Sequence, residues 1–240
     1  MDTAARRSPI GGERRFFVGI TAVIIAAILA GFAPTWFLRP WLHRPDMLPF
    51  TPLVWLHGLL FTGWALLFMT QVGLVSAGRL DVHRRLGMIG FALAIAMAVV
   101  GTLAALYGVA RASGPPGIPP LSFLAVPLLS VPVFAGLILS GLHFRRRPDV
   151  HKRLMLLAMI AFLPPAVGRM PIFAGPLGAL VVPTLFILAL VVWDVKSRGR
   201  VQRATIWGGL ANFAAFLTPM LIWNSQPWLG FARWASGLVG

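Results

Sequence analysis

Cysteine is absent from this chain. Disulfide scaffolds, cysteine-ligated zinc or iron–sulfur centres and thiol nucleophiles are therefore excluded. Acidic residues are also scarce: six Asp and Glu against 21 Lys and Arg leave a formal charge of +15. No Asp or Glu falls inside the long apolar runs described below, which argues against a proton-relay pump or a cation-coupled transporter. The only lysines, Lys152 and Lys196, sit in basic connections, so a retinal Schiff base in a last membrane span is excluded. The last apolar run also lacks the histidines and the acidic partner of seven-span zinc hydrolases. No phosphate loop, dinucleotide fingerprint or nucleophile elbow is present.

Apolar sequence fills the space. The 240 residues are 58% hydrophobic and 11% charged, whereas a soluble domain is about 45–50% apolar and about 25% charged. A bilayer core takes about 20 apolar residues as helix. Seven stretches qualify: Phe16–Phe37, Phe50–Ala77, Leu86–Ala110, Leu121–Phe144, Leu154–Phe173, Leu177–Trp193 and Thr205–Trp223. Backbone groups in lipid must pair within their own segment, so the expected fold is an all-α polytopic membrane helix bundle, one integral domain over residues 1–240. The first run exceeds the roughly 7–15 residues of a signal-peptide core and Pro34 follows its one small-residue cleavage candidate, Ala33, so it reads as a retained helix. The basic residues lie in short runs between the spans, which makes topology, not nucleic acid, the cause of the charge.

Alternate connections differ sharply in charge. Sixteen Lys and Arg fall on the side of the N-terminus, including Arg6, Arg7, Arg14, Arg15 and the runs 79–85, 145–153 and 196–203; five (Arg39, Arg44, Arg111, Arg169 and Arg233) fall on the other. That bias predicts a cytoplasmic N-terminus and an external C-terminus. The tail from 224 to 240 spaces Trp228, Phe231 and Trp234 at helical intervals and is expected to lie along the outer interface.

One hexapeptide recurs. Asp81-Val82-His83-Arg84-Arg85-Leu86 returns as Asp149-Val150-His151-Lys152-Arg153-Leu154, 68 residues later. Both copies sit in a basic connection and open a helix running outward, which suggests a parallel repeat of two hairpins, 50–110 and 121–173. An N-capping Asp and topogenic cations explain most of each copy; neither job needs a histidine.

Of the five histidines, His83, His143 and His151 lie at the inner ends of the third, fourth and fifth spans, and His43 in an outer connection. Imidazoles on facing helices are how a bundle holds b-type haem or a divalent metal. His83 and His151 are the pseudo-symmetric ligand pair, with His143 as substitute or neighbour; the alternative is that interfacial histidines ligate nothing. His57 lies about seven residues inside the second span, with Trp64 and Gln71 following at intervals of seven, so the three share one stripe about 21 Å long. That stripe is either a functional column or a seam hydrogen-bonded across helices. Arg169 follows Pro164-Pro165, which must break or kink the fifth helix. It either snorkels to the outer interface or meets an external anion such as a haem propionate, a quinone carbonyl or a lipid phosphate. Asp194, beside Trp193, reads as a solvated helix end.

The string His57, Trp64, Gln71 and His83-Arg84-Arg85-Leu86-Gly87, followed by His151-Lys152-Arg153-Leu154-Met155, resembles a family of bacterial multi-pass inner-membrane proteins of uncharacterised activity, over roughly the second to seventh spans. It is loosely similar to haem–copper oxidase assembly proteins and to b-type membrane cytochromes. Some relatives carry a histidine before the last span where this chain has Gln202. The resemblance implies an inner-membrane location, haem b, and a respiratory-chain protein or quinone as partner. His83, His151, His57, His143 and Arg169 are then the cofactor-binding candidates, with His83 and His151 as metal ligands. The other open readings are a non-enzymatic scaffold that binds a partner or lipid, and a small-solute permease.

Overall fold

The computed structural model describes residues 9–42, 48–115, 117–173 and 175–239. Arg6, Arg7, His43 and Arg44 fall outside the described residues. The described chain is helical throughout: α1 (Pro9–Phe32), a π-helical continuation (Ala33–Phe37), α2 (Arg39–Leu42), α3 (Pro52–Ser76), α4 (Leu80–Ala110), α5 (Pro120–Phe123), α6 (Ala125–His143), α7 (Pro148–Ile160), α8 (Leu163–Val167), a 3-10 turn (Pro171–Phe173), α9 (Pro176–Arg198), α10 (Arg203–Ile222) and α11 (Gln226–Ser236). Seven segments are long and apolar enough to cross a bilayer: Gly11–Phe37, Pro52–Ser76, Leu80–Ala110, Pro120–His143, Pro148–Val167, Pro176–Arg198 and Arg203–Ile222. The protein is a multi-pass membrane helix bundle, as its hydropathy requires.

Local chemistry sets the ends. Thr51 caps α3, its hydroxyl accepting from the Val54 amide at 3.4 Å, and Pro52 fills the first turn, where no amide donor is needed. Gly199, at φ 69°, ends α9 in the left-handed conformation that a Cβ would strain. The two hexapeptides do not lie in connections. They form the opening turns of α4 and α7, which begin six residues before the apolar runs do. Asp81 and Asp149 occupy those first turns, where a carboxylate complements the helix dipole. His83 and His151 are each the fourth residue of their helix.

The bundle has a centre that hydropathy does not reveal. α1, α3, α4, α6, α10 and α9 form a closed ring, each packed on the next, and the fifth span (α7 and α8) runs through it. From Leu156 to Ala161 no residue exceeds 1% exposure. The span is broken as its two prolines demand: α7 stops at Ile160, Ala161 and Phe162 turn, and α8 restarts with Pro164 and Pro165 in its first turn.

Small residues allow this crowding, as expected where lipid supplies no hydrophobic drive between helices. A Cβ on Gly31 of α1 would collide with the Ala166 carbonyl of α8, and one on Gly208 of α10 would stand 2.7 Å from Leu157 of α7. The Asn212 carboxamide of α10 donates to the Leu157 carbonyl at 3.0 Å, bonding the last span to the central one.

Beyond the last span, α11 folds back along the end opposite the basic one. Trp228 is buried and its indole N–H donates to the Leu121 carbonyl at 2.9 Å, while Phe231 and Trp234 remain exposed. The Ser122 hydroxyl donates to the Asn224 side chain at 2.8 Å, fixing the approach to α11.

Candidate functional site at the basic end of the bundle

The start of α7 gathers three of the chain's six acidic residues. Arg153, wholly buried, donates from Nε (2.8 Å) and Nη2 (2.5 Å) to Oδ1 of Asp194, and from Nη1 to the Asp149 carbonyl at 2.7 Å. Oδ2 of Asp194 accepts from the Thr205 hydroxyl at 2.6 Å and from the Gln202 amide at 3.0 Å. Asp194 is thus wholly buried and joins α7, α9 and α10, which overturns its reading as a solvated helix end. Its carboxylate is sealed inside the bundle because four donors replace its water. Outside this pair, Lys152 meets Glu13 at 2.6 Å and Asp149 at 3.1 Å, and Arg198 meets Asp149 at 2.7 Å and Glu13 at 3.3 Å, tying α1, α7 and α9.

The hexapeptide copies therefore do different work. In the first, Asp81 has only an exposed contact of 3.7 Å with Arg79, and Arg84 and Arg85 are exposed. In the second, the cations hold the central helix in place. What both copies share is the histidine.

His83 and His151 are brought together. Their ring centroids lie 6.3 Å apart, with planes at 82°. An imidazole nitrogen bonds a metal at about 2.0–2.1 Å, so two rings this close lie within reach of one shared ion. His151 Nδ1 lies 2.8 Å from the Gly141 carbonyl. With Nδ1–H donating there, Nε2 carries the free lone pair, which is the usual orientation of a ligating imidazole. His83 Nδ1 is buried without a partner. Beside it, Gln71 donates from Nε2 to the His83 carbonyl at 3.2 Å and leaves its own buried Oε1 unpartnered.

The other candidates stand apart from this pair. His143 is exposed at the end of α6 with its ring against Phe144, and among the described residues no group of three or more His, Asp or Glu could hold a metal. Arg169 lies beyond the far end of the fifth span, over the Phe32 ring at 4.8 Å and donating to the Pro165 carbonyl at 2.6 Å. His57 is at that same far end, its ring tilted against Phe61 with centroids 4.2 Å apart.

The stripe on α3 faces inward as its spacing predicts. Phe61 meets Phe162 at the break in the fifth span, and Trp64 meets Phe134 of α6 edge-on at 5.4 Å. Gln71 bonds across to the His83 carbonyl of α4, while His57 Nδ1, Trp64 Nε1 and Gln71 Oε1 are buried and unpartnered. An unmet polar atom inside a membrane-spanning helix is costly, which makes the stripe a candidate for binding as well as packing.

Arg153, Thr205 and the burial of Asp194 escaped the sequence. The available signal was slight: Asp194 is the only acidic residue after Asp149. Against known proteins, no family model, no curated sequence and no solved structure matches the chain.

Proposed function

We propose that the protein is a bacterial inner-membrane haem-b protein, with its N-terminus in the cytoplasm, that serves electron transfer or the assembly of a respiratory oxidase. His83 and His151 would hold the haem iron. The observation that carries this reading is the edge-to-face pair of imidazoles, 6.3 Å apart, one on each copy of the repeated hexapeptide.

The donor set suits haem better than a bare metal ion. Two histidines without a third protein ligand among the described residues cannot satisfy zinc, which takes three or four protein ligands. They suit a group that brings its own equatorial nitrogens and asks the protein only for axial ones. Such a group, when bound, supplies one-electron redox chemistry whose potential the axial ligands and their hydrogen bonds tune.

The chain's residues have separable tasks around it. The Gly141 carbonyl fixes the His151 tautomer, and Gln71 braces the backbone of His83. Arg84, exposed beside His83, is placed to meet a propionate; Arg169, at the opposite end of the fifth span, is not. The Arg153–Asp194 pair holds α7 and hence the His151 ring.

The test is an oxidised and dithionite-reduced absorption spectrum of detergent-purified protein, with pyridine-haemochrome quantification. A sharp reduced α-band at about one haem per chain, lost in His83→Ala and in His151→Ala but kept in His143→Ala, is expected. A featureless spectrum from folded protein expressed with haem supplied overturns the reading.

A further inference from the structure

The cations of the basic end fall into two groups. Lys152, Arg153 and Arg198 are each neutralised by Glu13, Asp149 or Asp194. Arg14 and Arg15 on α1 have no acidic partner among the described residues, although Glu13 is their neighbour in sequence. Glu13 instead accepts from Lys152 and Arg198. The two free guanidinium groups are exposed, at the mouth of a shallow depression. They line a groove of about 580 Å³ between α1 and α3, with Gly11, Val18, Gly73 and Ser76.

The groove is graded along the membrane normal. Arg14, Arg15 and the Ser76 hydroxyl stand towards the end where α1 begins and α3 stops. Val18 and Gly73 continue the groove one turn deeper, on an apolar path. A Cβ built on Gly73 would meet nothing within 4 Å, so the space is open and belongs to no side chain of the protein.

We infer that this groove is a seat for one anionic phospholipid, with the phosphate held by Arg14 and Arg15 and an acyl chain laid along Val18 and Gly73. Guanidinium forks match phosphate oxygens in pairs, and the Ser76 hydroxyl offers a third donor. A free phosphate would use the arginines but leave the apolar trough empty. A zwitterionic lipid would fill the trough but place its own cation among the arginines. The inference is independent of the histidine pair.

The test titrates the purified full chain with dioleoylphosphatidylglycerol and, separately, with dioleoylphosphatidylcholine, reading retained lipid by native mass spectrometry. The wild-type chain keeps the first lipid and not the second. Arg14→Gln/Arg15→Gln weakens retention by roughly thirtyfold, from two arginines near an anionic headgroup. Gly73→Leu keeps both charges, fills the open space and also loses the lipid; an equally cationic pair elsewhere on the same end, changed as Arg145→Gln/Arg146→Gln, leaves retention intact. The inference fails if Gly73→Leu binds like the wild type, if the Arg145/Arg146 change weakens retention as much as the Arg14/Arg15 change, or if phosphatidylcholine is kept equally. Displacement of the lipid by millimolar inorganic phosphate overturns the lipid assignment in favour of a bare anion site.

Discussion

Arg153 and Asp194 lie 41 residues apart in sequence and form a wholly buried ion pair, with two guanidinium nitrogens on one carboxylate oxygen. The other carboxylate oxygen is taken by Thr205 and the Gln202 amide. Three helices thus meet on one acid, at the end of the bundle where His151 faces His83. The geometry leaves no bonding capacity for a ligand or a travelling proton, so the pair is a fixed joint.

Removing one half of that joint leaves the other charged and buried. Asp194→Ala is expected to destabilise the protein by about 3–5 kcal/mol, and Arg153→Ala similarly. The double change Arg153→Met/Asp194→Leu, which removes both charges and keeps the volume, is expected to recover most of the loss. Unfolding of the four proteins in mixed detergent micelles measures this. A double variant as unstable as the sum of the singles would show that the charges stabilise independently of each other.

The seven spans were legible because their signal is local: each is a run of apolar residues bounded by charge, proline or glycine. The inward stripe of His57, Trp64 and Gln71 was legible for the same reason, since helical spacing alone puts the three on one face. The central helix was not. The fifth span shares the lowest mean hydropathy of the seven yet has 67% of its window buried, against 11% for α3. In lipid, the outside of a helix is as apolar as its inside, so composition does not say which helix is enclosed. Asp194 was misread because the residue after an apolar run normally meets water, and its partner is supplied by a different span. The closeness of His83 and His151 was anticipated from the repeat, and the separation of Arg169 from them from its depth at the other end of its span.

Gly31 is where α1 comes into backbone contact with the broken half of the fifth span. A methyl group there would have to displace the Ala166 carbonyl, which rigid helices on both sides prevent. Gly31→Ala is therefore expected to cost about 1–3 kcal/mol by overpacking. Gly19→Ala on the same helix, where a Cβ meets nothing within 4 Å, is expected to be neutral or slightly stabilising through helix propensity. Thermal melts of the two variants side by side check the contrast.

Gln71 holds the His83 backbone carbonyl, and its own Oε1 is buried without a partner. On the haem reading, Gln71→Leu removes the hydrogen bond that braces the His83 backbone and should lower haem affinity by about 10-fold, the low end for a group that supports a ligand from outside. Gln71→Glu should keep haem but lower its midpoint potential, because a negative charge near the site favours the oxidised, more positive state. Haem transfer to apomyoglobin and a redox titration read the two effects separately. Unchanged values in both variants would remove Gln71 from the site.

The absence of cysteine makes topology directly measurable, because any introduced thiol is the only one in the chain. Ser197→Cys, at the basic end, is expected to be shielded from a membrane-impermeant maleimide in intact bacterial cells and labelled after lysis. Gly237→Cys, at the end of α11, is expected to be labelled in both. A nitroxide carried on Phe231→Cys should report immersion in the headgroup region, since Phe231 and Trp234 point away from the face that Trp228 buries. The reverse labelling pattern would invert the bundle, placing the sixteen cations outside and the histidine pair at the external surface. A water-exposed nitroxide would instead leave the orientation intact and show that α11 is held by the Trp228–Leu121 bond without help from lipid.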